Sequence, residues 1–156
     1  TAGGAYIPTE SGWKLLMEIK PIREEILAEG HPEIKATNNS MIRIIRGIDI
    51  DDATIAVNAN KGCKDLSEEF KNAVKSSGKV KIVIEVEGEE DVVTAYGSPA
   101  LKLTDKDEIL IRKDSVINNK TLAIFADKSA NELKQDLIKK LRNPKAKVRI
   151  ILEVKQ

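Results

Sequence analysis

The chain has 156 residues, with 26 Lys and Arg against 25 Asp and Glu and a net charge of +1. That length suits one domain with a sizeable core, and a 41% hydrophobic content excludes a wholly disordered chain. No apolar run reaches the ~18–20 residues that span a bilayer, and the near-zero charge argues against a generic polyanion binder.

Residues 1–16 carry no period and hold the adjacent Gly3 and Gly4, whereas Met17-Glu18-Ile19-Lys20-Pro21 reads as a natural start. The expectation is an N-terminal extension or cloning remnant over 1–16, which holds the single Trp13, followed by one globular domain over 17–156. Glu25–Glu29 reads as a strand running into a Gly30-His31-Pro32 turn. Short strands follow at Ile34–Thr37, Met41–Arg46 and Thr54–Ala59, each rich in β-branched residues and bounded by Gly, Asn or Asp. The period then changes to 3.6. Asp65-Leu66-Ser67-Glu68 reads as a capping box, and Leu66, Phe70, Ala73 and Val74 line one face of a helix over 65–77. Val80, Ile82, Ile84 and Val86 alternate with polar residues in the closing strand.

The same order then recurs. Val92–Tyr96 leads to Gly97-Ser98-Pro99, followed by Leu101–Thr104, Glu108–Lys113 and Thr121–Ala126. A helix over 129–142 opens on the capping box Ser129-Ala130-Asn131-Glu132 and shows a Leu133, Leu137, Ile138, Leu141 face before Pro144 ends it. Val148–Val154 is apolar on both faces near Ile150-Ile151-Leu152, so it is the more buried strand. Sliding the chain by 67 positions, with one later single-residue insertion, aligns Ala28–Val86 with Ala95–Val154 at 18 identical pairs, where chance gives about four. The fold expected is therefore α+β, mainly β. It is a pseudo-two-fold duplication of a β-rich unit with one helix each, spanning about 24–87 and 91–155. Its element order is that of small barrels of the double-psi kind.

The motifs Gly30-His-Pro-Glu-Ile-Lys-Ala-Thr37, Ala56-Val-Asn-Ala-Asn-Lys61, Gly97-Ser-Pro-Ala-Leu-Lys-Leu-Thr104, Ile111-Arg-Lys113 and Ala126-Asp-Lys-Ser-Ala130 resemble a family of uncharacterised, mainly archaeal proteins, a domain of unknown function. The resemblance covers roughly 20–155 and implies an archaeal, cytoplasmic protein of unassigned activity. The composition agrees with both parts. A 33% charged content with Gln only at Gln135 and Gln156 is thermophile-like, and the lone Cys63 has no disulfide partner. Nothing near the N-terminus reads as a secretory signal.

Five residues are candidates for ligand binding. His31 is the only His, held between Gly and Pro, and its aligned position is Ser98. Lys61 and Lys128 lie between a strand and a capped helix, where backbone N–H groups favour an anion such as phosphate. Arg112 and Lys113 lie beside Asp114 and form a polar turn matched by Asp51-Asp52. The run from Lys139 to Arg149 holds six basic residues and no acid, and Glu85 to Asp91 holds five acids in seven residues. No spacing suits a metal or a cofactor, and there is no nucleophile elbow, P-loop or dinucleotide turn. Three readings compete. The first is a non-catalytic module binding a small anionic ligand or a protein partner at the pseudo-axis loops. The second is an enzyme with a polar site around His31 and Arg112-Lys113. The third is a nucleic-acid-associated protein using 139–149.

Overall fold

The computed structural model describes residues 21–76 and 78–155. The boundary expected at residue 16 and the environment of Trp13 lie outside these residues.

Two sheets of four strands form. The first holds β1 (Ile22–Glu29), β4 (Lys79–Val86), β5 (Glu89–Tyr96) and β8 (Lys147–Val154), antiparallel throughout in the order β1-β8-β4-β5. The strict alternation of β4 aims Val80, Ile82, Ile84 and Val86 inward, and all four are buried. β8 does the same with Val148, Ile150, Leu152 and Val154. Both strands are central, so the outward Val83 and Ile151, directly paired across β4 and β8, are buried too. The β4–β5 hairpin turns on Glu87 and Gly88, both at positive φ, which matches the right-handed twist of the strands it joins.

The second sheet holds β2 (Met41–Ile45), β3 (Thr54–Ala56), β6 (Glu108–Arg112) and β7 (Thr121–Ala123) in the order β3-β2-β6-β7. β2 and β6 pair antiparallel, and each carries a short parallel partner on its outer edge. Residues between the sheets, such as Ile42, Ile44, Ile109 and Ile111, join the inward side chains of the first sheet in one core.

Three expectations need correction. No closed barrel forms among the described residues. The two sheets are linked by the isolated bridges Glu29–Val57 and Tyr96–Ile124 and by one further bond each, from the Asn60 N–H to the Leu27 carbonyl and from the Asp127 N–H to the Thr94 carbonyl; between them Asn58 and Phe125 turn to positive φ and break the ladder. The strands expected at Ile34–Thr37 and Leu101–Thr104 are not strands. Ala36 and Leu103 sit in the left-handed region, which breaks a ladder, although their apolar alternation is real and Ile34, Ala36, Leu101 and Leu103 are buried. The two expected helices are each split. A 3-10 turn (Cys63–Asp65 or Ala130–Glu132) precedes α1 (Glu68–Lys75) or α2 (Gln135–Leu141). Leu66 and Leu133 interrupt with extended backbone so that their side chains can enter the core.

Capping follows this split. Ser67 is the cap of α1 and accepts from the Phe70 N–H at 3.1 Å, while Asp65 accepts from the Gly62 N–H at 2.9 Å. Glu132 accepts from the Ser129 N–H at 2.9 Å, one half of the expected box, and this bond closes the 3-10 turn. The apolar helix faces pack as their periodicity requires, α1 on β1 and β8, α2 on β5 and β4. The glycines of the two Gly-x-Pro turns lie against helix ends. A Cβ on Gly30 would come within 2.4 Å of the Leu141 carbonyl oxygen, and one on Gly97 within 1.8 Å of that of Val74. Only glycine lets the turn approach so closely.

Candidate functional site

The helix starts hold an anion, and it is the protein's own. Glu24 on β1 accepts from Lys61 Nζ at 2.7 Å and from the Ser67 N–H at 2.6 Å. Asp91 on β5 accepts from Lys128 Nζ at 2.6 Å, from the Lys134 N–H at 3.0 Å and from the Val92 N–H at 2.8 Å. Both carboxylates are buried, Asp91 with only 4% of its surface exposed. Burial opposes their ionisation, but the lysine and the backbone donors more than offset it, so both pKa values lie below the ordinary range. Each carboxylate thus ties an edge strand to the N-cap of a helix. β1 and β5 are opposite edges of a four-stranded sheet, so the two sites stand at least ~14 Å apart, three strand spacings. Lys61 and Lys128 therefore do not meet on one small ligand.

His31 Nδ1 accepts from the Glu33 N–H at 3.1 Å, and Ser98 Oγ accepts from the Ala100 N–H at the same distance. The two side chains close the same local turn, which accounts for a polar residue between Gly and Pro. A 480 Å³ concavity begins one residue on, lined by Pro32, Glu33, Lys35, Asp51, Asp52 and Arg142; neither His31 nor any of the other four candidate residues lines it. Arg142 is held there by the carbonyls of Ile34 and Lys35. Lys113 pairs with Glu132 at 2.8 Å, and that bond, with the Ser129 N–H, lowers the Glu132 pKa to about 2.

Arg112 has a different setting. Its Nε and Nη2 grip Asp114 at 2.7 and 2.8 Å, while among the described residues Nη1 meets only the thioether of Met41 at 3.5 Å. It lines a 280 Å³ concavity on the outer face of β2 and β6, together with Arg43, Lys120, Asp51 and Glu108. Arg43 donates to Glu108 at 2.8 Å, to the Asp49 carbonyl and to Thr54, and Lys120 reaches the other Glu108 oxygen at 3.1 Å. The Arg43 bond, then Lys120, holds the Glu108 carboxyl below its usual range despite burial. Arg43, Glu108 and Lys120 were not singled out in the sequence, yet a signal was present. Arg43 interrupts the apolar run Met41–Ile45 at a position aligned with Leu110.

The basic run 139–149 is dispersed. Lys140 caps the Glu87 carbonyl, Lys147 pairs with Glu29, and Arg149 bonds Glu25 and Glu85. Cys63 is fully buried, and its thiol donates to the Lys120 carbonyl at 3.2 Å. Burial, then the nearby Asp105, pushes its pKa up to about 12. The thiol should therefore resist a thiol-specific reagent in native buffer and react at once in denaturant. Rapid native labelling would show that this end of the core opens. Among the described residues no group of His, Cys, Asp and Glu is placed to hold a metal, and no helix is long and apolar enough to cross a membrane.

Residues 26–155 match the sequence profile of a family described as a domain of unknown function, DUF371. The chain belongs to this family. It is also similar to an uncharacterised protein of Methanocaldococcus jannaschii, at 33% identity over 123 residues covering 77% of this chain and 91% of the relative. The DUF371 match takes in nearly all of both sheets, both helices and the β2–β6 concavity. An archaeal relative agrees with the resemblance drawn from the Gly-x-Pro and Ala-Asp-Lys motifs, and no activity is established for either protein.

Proposed function

We propose that the protein is an internally duplicated, cytoplasmic binding module that takes a small anion, such as phosphate or a carboxylate, in the concavity over β2 and β6. The duplication is supported by elements that recur at one offset. β1 and β5, β2 and β6, β3 and β7, and the two 3-10 turns each differ by 67 residues. The left-handed residues Ala36 and Leu103, and Asn58 and Phe125, do the same, as do the ion pairs Glu24–Lys61 and Asp91–Lys128. The antiparallel pairs Val83–Ile151 and Arg43–Leu110 join aligned positions, as a two-fold axis through both sheets requires, which supports this reading.

The observation that carries the ligand reading is the Arg112 Nη1 edge, which among the described residues has only a weak thioether acceptor. An anion oxygen is a far better one. The cations lining this concavity are also where the halves differ. Positions aligned with Arg43, Arg112 and Lys120 are Leu110, Ile45 and Ala53. A half that only needed to fold has apolar residues there. The experiment is thermal melting with millimolar phosphate, sulfate and dicarboxylates, for the wild type and for Arg112→Met and Lys120→Ala. A ligand at 100 times its Kd stabilises by about 2.7 kcal/mol. The expected result is a raised melting temperature that both variants abolish, each measured against its own ligand-free melting temperature, which falls slightly with the lost ion pair. No shift with any anion, or a shift the variants retain, refutes the reading.

A further inference from the structure

The geometry points to a second surface, away from β2 and β6, that binds single-stranded nucleic acid by base stacking and phosphate contact on the outer corner of the first sheet, around Tyr96, Phe125, Lys79, Lys81 and Lys155. It is independent of the anion reading above.

Three aromatic side chains lie among the described residues, and two of them are exposed, Tyr96 at 42% and Phe125 at 56%. They are neighbours. Tyr96 bridges Ile124, the residue before Phe125. At the matching bridge Glu29–Val57, the corresponding side chains Glu29 and Asn58 meet in a 2.9 Å hydrogen bond. Phe125 sits at φ 53° and Asn58 at φ 52°. Asn tolerates the left-handed region, whereas a bulky residue there is strained. The fold needs that backbone at both places, and Asn58 meets the need at low cost. Phe125 adds strain and exposes a large apolar ring, so folding does not account for it.

The surroundings supply the charge. Lys79 is the cross-strand partner of Tyr96, and Lys81 that of Thr94. Lys79, Lys81 and Lys155 line a 320 Å³ groove with Val92, Thr94 and Glu153. Glu153 is engaged by Arg23 at 3.1 Å. Among the described residues none of the three lysines has a carboxylate within ion-pair distance. At the diagonal corner of the same sheet face, the aligned Lys147 and Arg149 are neutralised by Glu29, Glu25 and Glu85. One corner thus carries free cations beside exposed rings, and the other carries paired charge with no ring. Free lysines along a groove suit a phosphate backbone, and aromatic faces suit unpaired bases of any sequence. A duplex hides its bases and would leave the rings unused.

The test is fluorescence anisotropy with labelled ten-nucleotide oligo(U) and oligo(dT) from 50 to 300 mM salt. The variants are Phe125→Asn and Tyr96→Glu, which install the residues of the other half, and Lys79→Gln with Lys81→Gln. Lys139→Gln with Lys145→Gln is the control on the other basic run. The wild type should bind with an affinity that falls as salt rises. Phe125→Asn should weaken binding about ten-fold or more while raising the melting temperature, which separates binding from folding. The double lysine variant should flatten the salt slope by about 1.4, two contacts' worth. The control should bind as the wild type does. Absence of binding at 50 mM salt overturns the proposal. So does binding that Tyr96→Glu and Phe125→Asn leave unchanged, or free UMP binding as tightly as the strand. No anion-induced shift in the wild type, with strand binding intact, would remove the earlier reading alone.

Discussion

Ile150→Ala is expected to lower the stability of the protein by about 2–5 kcal/mol, read as a fall in the denaturant midpoint at constant slope. Ile150 lies on the central strand β8, opposite Ile84 of β4 and Ile26 of β1, and all three are fully buried. α1 packs over β8. A side chain fixed by two strands and covered by a helix leaves a cavity that its neighbours cannot fill, since moving either strand would break the register of the whole sheet. Truncating the exposed Val116 removes apolar atoms without a cavity and should cost under about 0.5 kcal/mol. A neutral Ile150→Ala would mean that β8 does not form the centre of the sheet.

Asp91→Ala should cost about 3 kcal/mol, near the low end for breaking a buried ion pair, because Lys128 can turn partly to water. The loss goes beyond charge. The Lys134 N–H starts α2, which has no capping side chain of its own, and Asp91 is the acceptor that serves it. The same residue sets part of the response to acid. Its pKa is lowered in the folded state, as are those of Glu24 and Glu108. Groups of this kind contribute stability that is fully present above their ordinary values, 3.8 for Asp and 4.5 for Glu, and that is lost as pH falls through the lower folded values. Melting curves should hence be flat from neutrality to about pH 5 and fall steeply below about pH 4. Asp91→Ala should be destabilised at neutral pH and show a shallower acid limb. A parallel acid limb would mean that Asp91 is not ionised against Lys128.

The strands, the helix faces and the core were legible because each depends on neighbours a few residues away in the chain. Period 2 over Val80–Val86 and period 3.6 over Leu137–Leu141 are fixed by local geometry, so the buried sets follow. The Gly-x-Pro motif was legible as a turn, but its strict need for glycine came from the helix carbonyls of Leu141 and Val74, which lie far off in sequence. Ala36 and Leu103 misled for a related reason. Burial alternates there as in a strand, while the left-handed backbone that breaks the ladder leaves no mark on an Ala or a Leu.

The candidate site divided along the same line. The residue types were visible in the sequence, including lysines before helices, an Arg-Lys turn and a lone His. Which charges are already satisfied was decided by the tertiary structure. Glu24 and Asp91, 37 residues before Lys61 and Lys128, reach them only because β1 and β5 return to the helix starts. Met41 meets Arg112 across 71 residues through the β2–β6 pairing. Secondary structure follows from steric preferences between near neighbours, which sequence carries directly. The free energy of a charge depends on whichever groups surround it in three dimensions, and pairing between distant strands sets those.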